Sequence, residues 1–257
     1  MLRLKINDQE VSIEQGELVS YRSDGHEYIH QKGDPGWSHA DTEMFPIIGP
    51  TADAGYRVHV PRGNAILDQH GHLRELEYEL LEHSETEARF RKTYVKGTVV
   101  ANSKYPKKST AQRLIWPFDF EFEKHFSLAE DGLTIEFIIK GEKDMPFMLG
   151  YHPAFKLYSD QPTIVAQDGV ITLQEVLDVG SRAFEVPNCN EIVLKDEREL
   201  KIETQGFENF MLWTEVPNML CIEPITFYPF AVGQEELYEG FIHLNSEEMC
   251  YIIKLIP

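Results

Sequence analysis

Apolar and acidic residues alternate strictly along Phe118-Asp119-Phe120-Glu121-Phe122-Glu123. That pattern predicts a strand with three phenylalanines on one face and three carboxylates on the other. Leu133, Ile135, Phe137 and Ile139 repeat the two-residue period after Glu130-Asp131-Gly132, so the two runs predict an antiparallel hairpin. Leu76, Tyr78 and Leu80 alternate in the same way with Glu75, Glu77 and Glu79. Further short strand-like runs fall at 2–6, 56–60, 88–95, 170–173, 210–213 and 249–255, with turn residues between them. One short helix fits 234–239, and 30–54 and 99–110 read as loops. No long apolar stripe of period 3.6 competes. The expectation is an all-β fold, a single domain spanning 1–257, built as a sandwich or barrel of many antiparallel strands. Such folds bind small molecules in a concave sheet face or mouth, where residues far apart in sequence can meet.

Composition narrows the function classes. The chain has 43 Asp and Glu against 24 Lys and Arg, a net charge of −19 at pH 7. That balance opposes attraction to nucleic acid or to an anionic membrane surface, and neither is expected as a partner. Cys189, Cys221 and Cys250 are odd in number and far apart, which argues against a disulfide framework. The first ten residues carry Asp8 and Glu10 where a signal peptide needs an apolar run. No stretch reaches the roughly 18 apolar residues of a membrane span. A soluble, cytoplasmic protein is the expectation, with its oligomeric state left open.

Three motifs carry candidate chemistry. Glu223 lies in Cys221-Ile222-Glu223-Pro224, His152 in Gly150-Tyr151-His152-Pro153-Ala154-Phe155, and His70 in Gln69-His70-Gly71-His72-Leu73-Arg74. A carboxylate and an imidazole suffice to move protons on and off oxygen, one as base and the other as acid, with no cofactor. Each residue also has an ordinary structural reading. Glu223 could end a strand before a turn, and His152 could be a hydrogen-bonded loop histidine. His70 and His72 flank Gly71, so on a strand both would face one way and only one need act. Arg74 could pair with Glu75 or Glu77. Lys104, Lys107 and Lys108 could form a solvated loop or attract a phosphate. Trp37 and Trp116 could stack on a bound ligand or pack in the core.

The segments GYHPAFKL, CIEP and QHGHLR resemble the site motifs of the aldose 1-epimerase (galactose mutarotase-like) family. They are most similar to its smaller bacterial and hexose-6-phosphate-related branches, whose first motif reads His-Gly-Phe-Ala-Arg. His30 to Trp37 and Met44 to Gly49 are similar to that branch's early loop. The resemblance implies a β-supersandwich that interconverts the α and β anomers of an aldose without cofactor or metal. It implies Glu223 as the base on the anomeric hydroxyl and His152 as the acid on the ring oxygen. His70 would hydrogen-bond near the ring oxygen, and Arg74 would hold sugar hydroxyls or a phosphate. One position departs from the pattern: Pro50 stands where the family commonly has a basic residue, which removes a charge and a backbone donor.

Two other classes fit parts of the sequence. A cupin-like metal barrel would draw on His70, His72 and Glu77 as ligands, although no second histidine segment completes it. A carbohydrate-binding protein would keep the pocket without turnover, although a pure binder does not need both proton-transfer groups.

Overall fold

A computed structural model describes residues 1–63, 65–167 and 169–257. The expected hairpin is its centre. Strands Phe120–Ala129 and Gly132–Gly141 pair antiparallel in unbroken register, from Phe120 opposite Gly141 to Ala129 opposite Gly132. Gly132 turns the chain at φ +135°, where a Cβ would lie 2.2 Å from the carbonyl oxygen of Leu255, so the turn admits only glycine. Around this hairpin runs a nine-stranded sheet in the order Gly169–Thr172, Thr163–Ala166, Glu191–Lys195, Glu199–Gln205, Glu248–Ile256, Gly132–Gly141, Phe120–Ala129, Glu87–Tyr94 and Glu79–His83.

A second sheet packs on it. Its order is Phe184–Val186, Asn209–Trp213, Met219–Ile225, Gly150–Tyr151 and Glu43–Met44, with Ala154–Lys156 also paired to Met219–Ile225. Phe122, Phe126, Ile135, Phe137 and Ile253 of the large sheet share one apolar cluster with Phe210, Leu212, Leu220 and Ile222 of the small one. Strands 2–6, 9–14, 17–23 and 26–27 form a separate four-stranded sheet whose residues, from Leu4 to Leu18, join the same core. The architecture is the expected antiparallel β-sandwich. Among the described residues no helix is long and apolar enough to cross a membrane, and all three cysteines are free thiols.

Several local expectations are corrected. The run at 170–173 is a strand only to Thr172; Leu173–Val179 is an α-helix. Its signal was present in sequence, because Thr172 and Glu175 form a capping box, each side chain meeting the other's backbone amide. The helix expected at 234–239 is a 3-10 helix, Gln234–Gly240. At 56–60 only Arg57–Val58 is a strand. Glu75 to Leu80 does not form one alternating strand: Leu73–Glu75 is a 3-10 turn, and the strand Glu79–His83 is an exposed sheet edge. On the central strand the apolar face is interrupted by Lys124, which is fully buried.

Candidate active site

Strand Met219–Ile225 is buried on both faces. Alternation sends Leu220 and Ile222 into the main core, while Met219, Cys221, Glu223 and Ile225 project from the opposite face. Met211 pairs with Glu223 and Trp213 with Cys221 on the neighbouring strand. Met219 and Glu223, with Met211 and Trp213, line a cavity of about 750 Å³, whose wall also includes His152, His70 and Arg74. All four site residues named from the sequence therefore meet in one concavity.

His152 sits where the chain leaves Gly150–Tyr151 and turns into Ala154–Lys156. Its amide donates to the carbonyl of Thr42 at 2.8 Å, and the Thr42 amide donates back at 3.2 Å. Its Nε2 lies 3.4 Å from Oε1 of Glu223. The ring packs against Trp37, with centroids 4.5 Å apart, and against His70 at 5.4 Å. Trp37 is held in turn by a hydrogen bond between its carbonyl oxygen and His30 Nε2, 2.9 Å apart.

His70 is on a turn, not a strand. Its φ is +73°, and Gly71 follows at +69°, where a Cβ would sit 2.0 Å from the carbonyl oxygen of Phe45. The left-handed pair points His70 into the cavity and His72 into the core. His72 is fully buried edge-on to Tyr94, and neither ring nitrogen has a hydrogen-bond partner. Burial lowers it to about 3. Glu77 is exposed. The cupin-like ligand set is thus not assembled, because the turn sends its two histidines to different places.

Burial without partners sets the electrostatics. Glu223 Oε2 and His152 Nδ1 accept or donate no hydrogen bond among the described residues. Burial alone drives the Glu223 carboxyl well above the ordinary carboxylate range. It drives His152 down to about 3, aided by the charge of Arg74. His70 is held well below its usual value by burial, then by His152, Arg74 and Lys104. Burial disfavours the charged form of both members of the Glu223–His152 pair. His152, Cys221 and Glu223 also bring three metal-type donor atoms within 4.8 Å of one another. Burial, and then Glu223, hold the Cys221 thiol well above its usual value, so the thiolate needed for ligation is costly there.

The cavity also presents basic side chains. Arg74, Lys104 and Lys108 line it, and so does Pro50. Lys104 Nζ lies 3.4 Å from Asp68 and 3.1 Å from the carbonyl oxygen of Gln69. Arg74 forms no ion pair or side-chain hydrogen bond among the described residues. Lys107 is not part of the lining. Trp37 lines the cavity, whereas Trp116 is a fully buried core residue. Trp213, Met211 and Asp68 were missed in the sequence. Only the run Phe210–Trp213 hinted at the first two, through its strand pattern.

The family model for aldose 1-epimerase matches residues 16–209. The chain belongs to the aldose 1-epimerase family. The matched segment contains His70, Arg74 and His152, and ends before Glu223. A search of curated proteins finds no match. Among solved structures, a galactose mutarotase-like protein from Lactobacillus casei is similar at a TM-score of 0.81 and 18% identity, covering 100% of this chain and 99% of the other. A galactose mutarotase related enzyme from Lactobacillus acidophilus superposes at 0.77 with 19% identity, covering 100% and 97%. A galactose mutarotase-like protein from Clostridium acetobutylicum gives 0.67 and 14%, covering 98% and 93%. At these identities the likeness speaks for the fold. This aldose 1-epimerase family member therefore has the galactose mutarotase-like sandwich.

Proposed function

We propose that this chain is an aldose mutarotase, with Glu223 and His152 as its proton-transfer pair and His70 and Arg74 as sugar-binding residues. The observation that carries this reading is the 3.4 Å approach of His152 Nε2 to Glu223 Oε1 on the wall of the cavity. Ring opening needs a base at the anomeric hydroxyl and an acid at the ring oxygen. Glu223 takes the first proton and His152 gives the second, leaving an open-chain aldehyde. Rotation about the first carbon–carbon bond exposes the other carbonyl face. Reversing both transfers closes the opposite anomer, and no proton is consumed.

The buried pair suits that cycle. With the aldehyde present, the proton is on Glu223 and His152 is neutral, the same allocation that burial favours. Ring opening starts from the other allocation, with the proton on His152. Sugar hydroxyls donating to the Glu223 carboxylate favour it, because hydrogen bonding to the charged form lowers a carboxyl pKa. Each positioned group contributes about 10²–10⁴ in rate, ample for a reaction that already proceeds in water. No cofactor is required.

The substrate we propose is a neutral aldose. Lys104 already has Asp68 as partner, Glu215 also lines the cavity, and Pro50 supplies no charge. Hexose 6-phosphate, the substrate of the branch suggested by sequence, would rely on Arg74 and Lys108. Polarimetry on freshly dissolved α-glucose, α-galactose and glucose 6-phosphate tests the reading. Acceleration of a free sugar supports it. Binding without acceleration makes the protein a sugar-binding module instead.

A further inference from the structure

Beneath the cavity lies a buried set of four charged side chains that the proton transfers do not use. Lys92 and Lys124 come from adjacent strands of the large sheet. Lys92 pairs with Phe122 and Lys124 with Phe90 in the register, so the two lysines are diagonal neighbours on the core face. Lys124 Nζ lies 2.7 Å from Asp41 and 2.7 Å from Glu43. Lys92 Nζ lies 3.9 Å from Glu43 and donates to the carbonyl oxygen of Leu73 at 3.0 Å. All four are buried, and the two positive charges balance the two negative ones.

Each contact reaches a segment that carries a site residue. Thr42, between Asp41 and Glu43, exchanges the two backbone hydrogen bonds with His152. Tyr151, which precedes His152, donates its hydroxyl to Asp41 at 2.6 Å. Leu73 lies between His72 and Arg74, and its amide donates to the carbonyl of Phe45, whose own amide donates to the carbonyl of His70. The lysines thus connect His152 by one route, and His70 with Arg74 by another, to the most extensively paired strands of the fold.

Resting on the proposed mutarotase reading, we infer that Lys124 and Lys92 are positioning residues: Lys124 holds His152 in line with Glu223, and Lys92 holds the His70–Arg74 turn against the sugar. Removing one member of a buried ion pair leaves a stranded charge and is strongly destabilising, so single substitutions do not isolate a positioning role. Charge-balanced pairs are the test. Lys124→Met with Asp41→Asn leaves Lys92 and Glu43 matched, and the amide oxygen that Asp41→Asn introduces can still accept from Tyr151. Lys92→Met with Glu43→Gln leaves Lys124 and Asp41 matched.

Both double variants are expected to melt cooperatively and to differ in kinetics. The Lys124/Asp41 pair should lower kcat by roughly tenfold or more with little change in KM, as a misplaced proton-transfer group does. The Lys92/Glu43 pair should instead raise KM by roughly tenfold with a smaller effect on kcat. Imidazole resonances should move with them, those of His152 in the first variant and those of His70 in the second. The opposite split distinguishes positioning from general loosening, which would move both parameters together. Wild-type kinetics in a folded double variant, the same split in both, or failure of a pair to fold each overturn the positioning role of the lysine concerned. Absence of mutarotation in the wild type would sink the functional reading alone, because the imidazole resonances report positioning without turnover.

Discussion

Two buried titratable clusters lie side by side in this molecule and have opposite character. In one, Glu223 and His152 are enclosed with polar atoms unpartnered. In the other, Asp41 and Glu43 are equally enclosed but face Lys124 and Lys92. The carboxylates record the difference. Burial raises Glu223 well above its usual range, with no cation opposing it. Burial raises Asp41 only to about 6, because Lys124 opposes the rise. At Glu43 the same burial is outweighed by Lys124 and Lys92, and the net shift is downward. Enclosure alone does not make a reactive group. Enclosure without a counter-charge makes a carboxyl that can hold or release a proton, whereas enclosure with one makes a strut.

The largest effect expected from breaking this contrast is at His152. His152→Asn should remove about 10²–10⁴ of the mutarotation rate while leaving thermal stability close to wild type. Lys124→Met should do the reverse in kind, costing roughly 3–5 kcal/mol of folding stability by stranding Asp41 and Glu43. Denaturant melts of the two variants, set beside their rates, check both statements. A stable Lys124→Met protein would mean that the buried lysine is not a structural counter-charge.

Acidity sharpens the comparison further. The profile of kcat/KM reports the free enzyme, and His152 is lowered to about 3 by burial. Its acid limb should therefore fall well below the ordinary imidazole value of about 6.5; a limb near that ordinary value would mean a hydrated histidine. Stability should respond at Glu223. Its folded pKa lies above the unfolded one, so above the unfolded value folding takes up a proton and stability falls as pH rises toward the folded pKa. Glu223→Gln takes up none. It should be more stable than wild type at neutral pH, and the gain should vanish below about pH 4. Parallel melts at the two pH values decide it.

The smallest expected effect is at the basic side chains of the cavity. Arg74→Ala should weaken free hexose and hexose 6-phosphate to a similar extent. A charge-assisted phosphate contact would instead cost about 1.5–3 kcal/mol for the ester alone. A selective loss for the ester in steady-state kinetics would transfer the substrate proposal to the phosphorylated sugar.

The sandwich was legible in sequence because its central hairpin obeys a period of two with little interference. Phe118, Phe120 and Phe122 needed no tertiary information to be assigned one face, and all three are buried. Burial of Lys124, the next residue after that run, was not legible, since its partners Asp41 and Glu43 are 83 and 81 residues away, in a segment that reads as loop. Glu223, His152, His70 and Arg74 were legible through their motifs, and all four line the cavity. The separate fates of His70 and His72 were not. Alternation put both on one face, whereas two successive positive φ angles at His70 and Gly71 rotate them apart. The helix after Thr172 was hidden by the β-rich run before it, although its capping box was written in the sequence. Trp213 and Met211 became site residues only when Asn209–Trp213 paired with Met219–Ile225.

The most direct test of the proposed chemistry is polarimetry on α-galactose and α-glucose with wild-type protein and Glu223→Gln, alongside sugar binding followed by the fluorescence of Trp37 and Trp213. The wild type should accelerate mutarotation of at least one sugar. Glu223→Gln should lose about 10² or more of that rate while still binding it. Near wild-type turnover in the variant would contradict Glu223 as the base, and with it the reading of the unpartnered buried pair as the seat of the reaction.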